Sequence, residues 1–418
     1  MRNKLLKSWY FLYSNFMWLY LIMGICTSII GIYPMTFQLL MIVSFFFMLS
    51  NFSKFKPSNL IDFFTILFIV WIMINSITID YSNHWKMWYT SLMSNILPMS
   101  FYFIAKTVNY DIENILEKAT IPIVVAMIFG LIFYYIEPSW YVAIKMRQIY
   151  AATSNGEISD ELLIEMFRLS SFWVTPYVIG YATMYYGDFV LHKLFSETTN
   201  KKDKNKYFLL FTLCAIIILL TQFRATIYAL VLTIIYLMFF AKNKIKISYI
   251  ILIITSGFFI LTTVLDEETD TGANFRERMM KGFDKEHVES RLEFTGGGVD
   301  MHSVCGNGFG RYGSIAKSVN NEWPIVDSEY QKIMAELGIL GIILFAGLLI
   351  CGLLMSFRNK NLQLEFIIIA FFTVAFVGSS CISAETTFPF IFWYVLGRIS
   401  HKSSKSYKKL LRNGNITY

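Results

Sequence analysis

Apolar runs long enough to cross a lipid bilayer recur along almost the whole chain. A helix needs roughly 20 mostly apolar residues to span the hydrocarbon. Such runs fall at 9–31, 34–50, 60–78, 88–105, 120–137, 169–190, 207–222, 225–241, 247–264, 331–355, 363–382 and 386–398. The turn around Tyr33-Pro34 alone separates the first two, and Gln222-Phe223-Arg224 alone separates the seventh and eighth. The last run is short and carries Pro389. Charged residues are only 16% of the 418 and hydrophobic residues 56%, whereas a soluble domain is about 25% charged. No aqueous protein hides that much apolar surface, which excludes a soluble enzyme, a disordered chain and an ordinary nucleic-acid binder. The expected fold is an all-α polytopic membrane protein of about twelve transmembrane helices.

Orientation follows from where the lysines and arginines lie. With the amino terminus inside and spans alternating, the inner segments hold Arg2, Lys4 and Lys7, the five lysines of 193–206, Lys242, Lys244 and Lys246, and the basic tail from Arg398 to Arg412. The excess recurs loop after loop, which puts both termini in the cytoplasm. The first apolar stretch is too long for a cleavable signal and lacks a small-residue cleavage site, so it reads as a retained anchor. Five cysteines without a CxxC pair argue against a disulfide scaffold or a zinc ribbon.

On this topology the chain divides into helices one to nine with a smaller outer segment at 138–168 (residues 1–264), one large outer loop at 265–330, and helices ten to twelve with the basic tail (331–418). In the smaller segment, Ile158, Leu162, Leu163 and Met166 fall on one helical face, which suits a helix lying at the membrane surface. The large loop opens with the acidic run 266–270, continues through a helix expected over 274–291, and reaches a glycine-rich tract from Gly296 to Gly313. Loops longer than about 12–15 residues without structure of their own are usually functional.

Three elements of the chain have chemical potential. Arg224, between two apolar spans, either snorkels to headgroups or clamps an anion, because a guanidinium fork grips two phosphate oxygens at once. Arg291, alone, is a surface arginine in a charged helix, but glycines follow it. Gly306, Gly308 and Gly310 allow close backbone approach and positive φ, and their N–H groups could cradle an anion. They neither follow an apolar strand nor open a helix, so their spacing is no dinucleotide fingerprint. Third, Asp327-Ser-Glu-Tyr330 runs into a helix. Its carboxylates are either helix-capping groups or, with His302, candidates to take a proton from a hydroxyl. Gly338 and Gly341 lie a turn apart, which lets a neighbouring helix approach.

In order and placement these motifs resemble the O-antigen polymerase and O-antigen ligase superfamily of bacterial surface-polysaccharide assembly. The likeness rests on Thr221-Gln-Phe-Arg224, Ser290-Arg291, the tract Gly306 to Gly310, the polar turn into Tyr330 with Glu-Leu-Gly-Ile-Leu-Gly (336–341), and Glu385-Thr-Thr-Phe-Pro-Phe, and it is confined to about 205–398. It implies glycosyl transfer on the periplasmic face of the bacterial inner membrane. An undecaprenyl-pyrophosphate-linked glycan is donor and a second one acceptor, and neither metal nor cofactor takes part. Arg224 and Arg291 would hold the pyrophosphate, with Arg311 and Tyr330 binding substrate, and Asp327, Glu329 or His302 would serve as base. Family ligases carry a His-Asn pair where this chain has Asp327-Ser328, which favours a polymerase of O-antigen repeat units in lipopolysaccharide biosynthesis over a ligase. A chain-length regulator is a possible protein partner. A flippase of lipid-linked oligosaccharide is the alternative of a different class. The near-absence of charge inside the spans, with Asp62, Asp188 and Glu365 near their ends, argues against it.

Overall fold

The computed structural model describes residues 2–32, 36–77, 88–89, 91–108, 110–152, 168–196, 199–240, 244–259, 303–312, 328–378 and 388–412. Every regular element among them is helical: α1 (Arg2–Ser14), α2 (Phe16–Ile25), α3 (Thr36–Asn51), α4 (Leu60–Ile77), α5 (Ser100–Thr107), α6 (Ile112–Lys118), α7 (Thr120–Ile136), α8 (Ser139–Ala152), α9 (Pro176–Phe195), α10 (Lys201–Leu220), α11 (Arg224–Phe240), α12 (Lys244–Phe259), α13 (Glu329–Phe357), α14 (Gln363–Gly378) and α15 (Phe388–Arg412). Three stretches are long and apolar enough to cross a membrane unaided, Leu60–Ile77, Glu329–Phe357 and Lys360–Gly378, and up to five are if two bent pairs each count as one span. The chain is thus all-helical among the described residues and has helices of membrane-spanning character.

The helices depart from the apolar runs where backbone chemistry intervenes. The run 9–31 breaks at Asn15 and ends in a π-turn, Cys26–Ile30. From Leu92 on, the run 88–105 is a π-turn (Leu92–Ile96), a 3-10 turn over Leu97–Met99 and then α5; Pro98 lacks the N–H that a continuous α-helix needs there. The run 169–190 becomes helical only at Pro176, in the first turn, where a proline's missing donor costs nothing. Pro389 sits equally early in α15, and that helix runs on through the basic tail to Arg412. The surface helix expected over 158–167 and the helix expected over 274–291 lie outside the described residues.

The chain forms two compact units, one of Met1–Phe11, Leu39–Ile112 and Phe294–Tyr418, the other of Leu12–Gln38 and Glu113–Glu293. In the first, α4 packs on α13, α13 on α14, and α15 on α5. Ring pairs such as Phe376–Phe392 (5.2 Å), Phe345–Phe376 (5.6 Å) and Phe101–Phe390 (5.0 Å) fill its core. Lipid is as apolar as the core, so packing rather than water exclusion holds such helices together. Gly397 shows this: a Cβ there would run into the Tyr102 carbonyl, so only glycine lets α15 lie this close to α5.

At one end of this unit, buried charges latch the helices. Asp62, fully buried, accepts from Lys106 Nζ (2.5 Å), Tyr102 OH (2.5 Å), Ser400 Oγ (2.8 Å) and the Ser58 amide (2.7 Å). Arg398 donates to Glu365 (3.2 Å), to Asp111 (2.5 Å) and to the Tyr110 carbonyl. Removing one partner of a buried pair leaves the other uncompensated, at a cost of roughly 3–5 kcal/mol. Asp62→Asn, which strands Lys106, is therefore expected to lower the thermal unfolding midpoint in detergent. An unchanged midpoint would mean that the latch contributes no stability.

In the second unit α9 packs against α7, α10 and α11, and α12 against α10 and α11. Tyr20 stacks on Trp173 at 5.1 Å, and Trp173 Nε1 donates to the Tyr20 carbonyl at 3.1 Å. At the far end of α9, Lys193 and His192 hold Glu113 at 2.5 and 3.3 Å.

Candidate functional site

In the second unit, the start of α9, the end of α10 and the start of α11 meet at one end. Thr221, Gln222 and Phe223 form the elbow between α10 and α11, and Arg224 is the first residue of α11. Gln222 takes φ +52°, a left-handed value uncommon for residues other than glycine. The non-helical segment ahead of α9 lies along this elbow. The Leu169 amide donates to the Leu220 carbonyl at 3.0 Å. Arg168, fully buried, donates from Nε to the Thr221 carbonyl at 2.8 Å, and its guanidinium lies 5.0 Å from the Tyr177 ring centre. Lys145 Nζ in turn donates to the Arg168 carbonyl at 2.8 Å. Phe223 packs edge-on to Tyr177 and Tyr181, at 5.0 and 4.8 Å. Two buried cations therefore cluster around the elbow that leads into half-buried Arg224.

The first unit holds the other candidate element. Helix α13 is not continuous: Gly338 has φ +70° and ψ −169°, a backbone region open essentially to glycine alone. Such a break frees carbonyls and amides that a membrane cannot solvate. Residues 303–308 satisfy them. Ala335's carbonyl accepts from the Asn307 amide (2.8 Å) and side chain (2.9 Å), and Glu336's from the Gly308 amide (3.1 Å). The Ile339 amide donates to the Ser303 carbonyl (3.1 Å). Trp71 Nε1 donates to the Leu337 carbonyl (2.8 Å). The buried Glu336 carboxylate accepts the Tyr312 amide at 3.1 Å.

Two readings of the glycines are corrected by this geometry. Gly306, Gly308 and Gly310 take the positive φ expected of them, but within the described part of the tract, 303–312, the N–H groups of Gly306, Asn307, Gly308 and Tyr312 donate to Ser303 Oγ, to the Ala335 and Glu336 carbonyls and to the Glu336 side chain rather than standing open to an anion. Gly338 was expected to admit a neighbouring helix; it breaks its own, and a Cβ there would meet the Val304 carbonyl and the Gly306 amide. Charge inside the helices was also underestimated. Glu329, Lys332 and Glu336 share one face of α13 and are all buried, as is Asp188 in mid-α9. Lys332 Nζ reaches Asn95 Oδ1 at 3.3 Å, and Thr233 Oγ1 donates to Asp188 at 3.1 Å.

Of the residues expected to form a site, Glu329 and Tyr330 open α13. Tyr330 donates from its hydroxyl to the Thr373 carbonyl at 2.8 Å. Ser328 precedes them as N-cap but makes no capping bond; its hydroxyl donates to the Phe376 carbonyl at 2.9 Å. Arg311 lies in the glycine segment with Nη1 on the Asn307 carbonyl at 3.0 Å. Arg224 belongs to the second unit. Arg291, His302 and Asp327 lie outside the described residues, as does the acidic run 266–270. Among the described residues no three His, Cys, Asp or Glu side chains group as a metal site. Arg168, Gln222 and Glu336 were missed. Their signal was faint: an arginine abutting one apolar run, a glutamine closing a second, and an acid at the sixth position of a third.

The chain matches no family model, no curated protein and no solved structure. The fold and these two elements define a protein that is helical among the described residues, with helices long and apolar enough to cross a membrane, a cation-rich elbow in one unit and a broken helix bound to a glycine segment in the other.

Proposed function

We propose that this protein is a metal-independent glycosyltransferase that polymerises undecaprenyl-pyrophosphate-linked repeat units into O-antigen or a similar surface polysaccharide. It would do so from the bacterial inner membrane, with about twelve spans and the site facing the periplasm. The observation that carries this reading is the gathering of Lys145 and Arg168 at the elbow leading into Arg224. A hydroxyl of the acceptor sugar attacks the anomeric carbon, the bond to the pyrophosphate oxygen breaks, and the lipid diphosphate leaves with its electrons. Charge grows on that diphosphate, so preorganised guanidinium groups can lower the barrier by several kcal/mol. The hydroxyl proton passes to a carboxylate or imidazole, for which Glu329, Asp327 and His302 are the candidates.

Sidedness supports the reading. Within the second unit the elbow lies at the opposite end of α9 and α10 from Lys193 and the lysines of 201–206, and basic segments mark the cytoplasmic side.

A flippase of lipid-linked oligosaccharide is the second reading, favoured by the break in α13 and by buried Lys332, Glu336 and Asp188. Broken helices frame the substrate sites of many transporters. Incubating purified protein with lipid-linked repeat units separates the two: longer glycan chains establish the polymerase, whereas unchanged glycan that crosses between leaflets in vesicles establishes the flippase.

A further inference from the structure

Gln222 is only 1% exposed, yet neither its Oε1 nor its Nε2 has a hydrogen-bond partner among the described residues. Leaving a buried amide unmatched is destabilising, and so is holding a residue other than glycine at φ +52°. A second backbone outlier sits in the segment alongside: Val174, a β-branched residue, has φ +62°. Strain of this kind clusters where a ligand is clamped, and the sound inference runs from the outlier to a site. A packed core would favour leucine or methionine at position 222, since either fills the space without an unmatched polar atom.

The chemistry of the amide narrows the ligand. It presents one acceptor and one donor group side by side. Phosphate oxygens accept only, so a diphosphate would still leave Oε1 unmatched. A sugar hydroxyl both donates and accepts, and a neighbouring pair of hydroxyls matches both halves of the amide. The cations at this elbow, Lys145, Arg168 and Arg224, suit the phosphates instead.

We infer that Gln222 is a specificity-determining residue that hydrogen-bonds the hydroxyls of the sugar joined to the lipid diphosphate, while the cations beside it take the diphosphate itself. This rests on the polymerase reading above and extends it from the carrier to the sugar.

Full-length protein in nanodiscs, wild type and Gln222→Met, is titrated with two probes: undecaprenyl pyrophosphate alone, and the same carrier bearing one sugar. Thermal unfolding is followed in parallel. The wild type is expected to bind the glycosylated carrier more tightly than the bare one. Gln222→Met is expected to weaken the glycosylated carrier by roughly tenfold to a hundredfold, to leave the bare carrier unchanged, and to unfold at or above the wild-type midpoint because a buried mismatch has gone. Gln222→Asn keeps an amide on a residue type that tolerates φ > 0, and is expected to retain part of the preference. Equal binding of both probes by wild type and Gln222→Met removes this inference and leaves the polymerase reading standing. A lowered midpoint with both probes weakened assigns Gln222 a structural role and overturns it too. A wild-type protein that binds neither probe removes the polymerase reading and this inference together.

Discussion

Arg224→Ala is expected to slow chain growth at least about a hundredfold, the loss typical when one preorganised donor is taken from a developing anion, while the protein still inserts and folds. Arg224 is half-buried and opens α11, so its removal strips function without emptying a core. Arg168 is different. It is fully buried, bonds the Thr221 carbonyl and lies against Tyr177, so Arg168→Ala is expected to lose activity and stability together. Arg224→Lys separates charge from geometry, because an ammonium cannot reproduce the bidentate fork; strong impairment is expected, and full activity would mean that charge alone suffices. Arg291→Ala tests the second arginine suggested by the family resemblance. Chain length measured on the extracted glycan checks all four, and near-normal chains in Arg224→Ala would remove the clamp.

Gly338→Ala is expected to be the most damaging change in the first unit. Alanine cannot take φ +70° with ψ −169° without strain of about 1–3 kcal/mol, and its Cβ would collide with the Val304 carbonyl and the Gly306 amide. The lesion is reciprocal, since a Cβ on Gly306 would meet the Glu336 carbonyl and the Gly338 amide. Either substitution must push residues 303–308 off the break, exposing the Ala335, Glu336 and Ile339 backbone groups that they satisfy. Each stranded group costs a further ~1–3 kcal/mol. Denaturant unfolding in detergent, with protease sensitivity near Cys305, is expected to show a loosened segment. A variant as stable as wild type would show that the close seating of the two glycines is dispensable.

How much of this was legible in the sequence depended on whether local rules decided the outcome. Apolar runs located most helices because a bilayer demands length and apolarity alone. Pro98 and Pro176 moved boundaries by known chemistry, and Pro389 proved harmless because it falls in a first turn. Gly338 could be read as important but not as a break: its φ is set by residues 303–308, some thirty positions away. Asp62 and Glu365 were placed near span ends from sequence, but their engagement with Lys106 and Arg398 is tertiary. Arg224 stood out as the cation between two apolar runs. Arg168 and Gln222 did not, because only the folding of the 168–175 segment against the elbow brings a buried guanidinium to Thr221 and closes off the amide beside it.

Binding of undecaprenyl pyrophosphate from one leaflet at a time is the most direct measurement. Full-length protein is placed in oriented vesicles, and labelled carrier is supplied to the leaflet on the side of Lys193 and Lys201–Lys206 or to the opposite one. Saturable binding is expected only from the opposite leaflet, and it should be lost in Arg224→Ala. Binding from the basic-loop side, or binding that Arg224→Ala leaves intact, would contradict the assignment of the elbow as the diphosphate site.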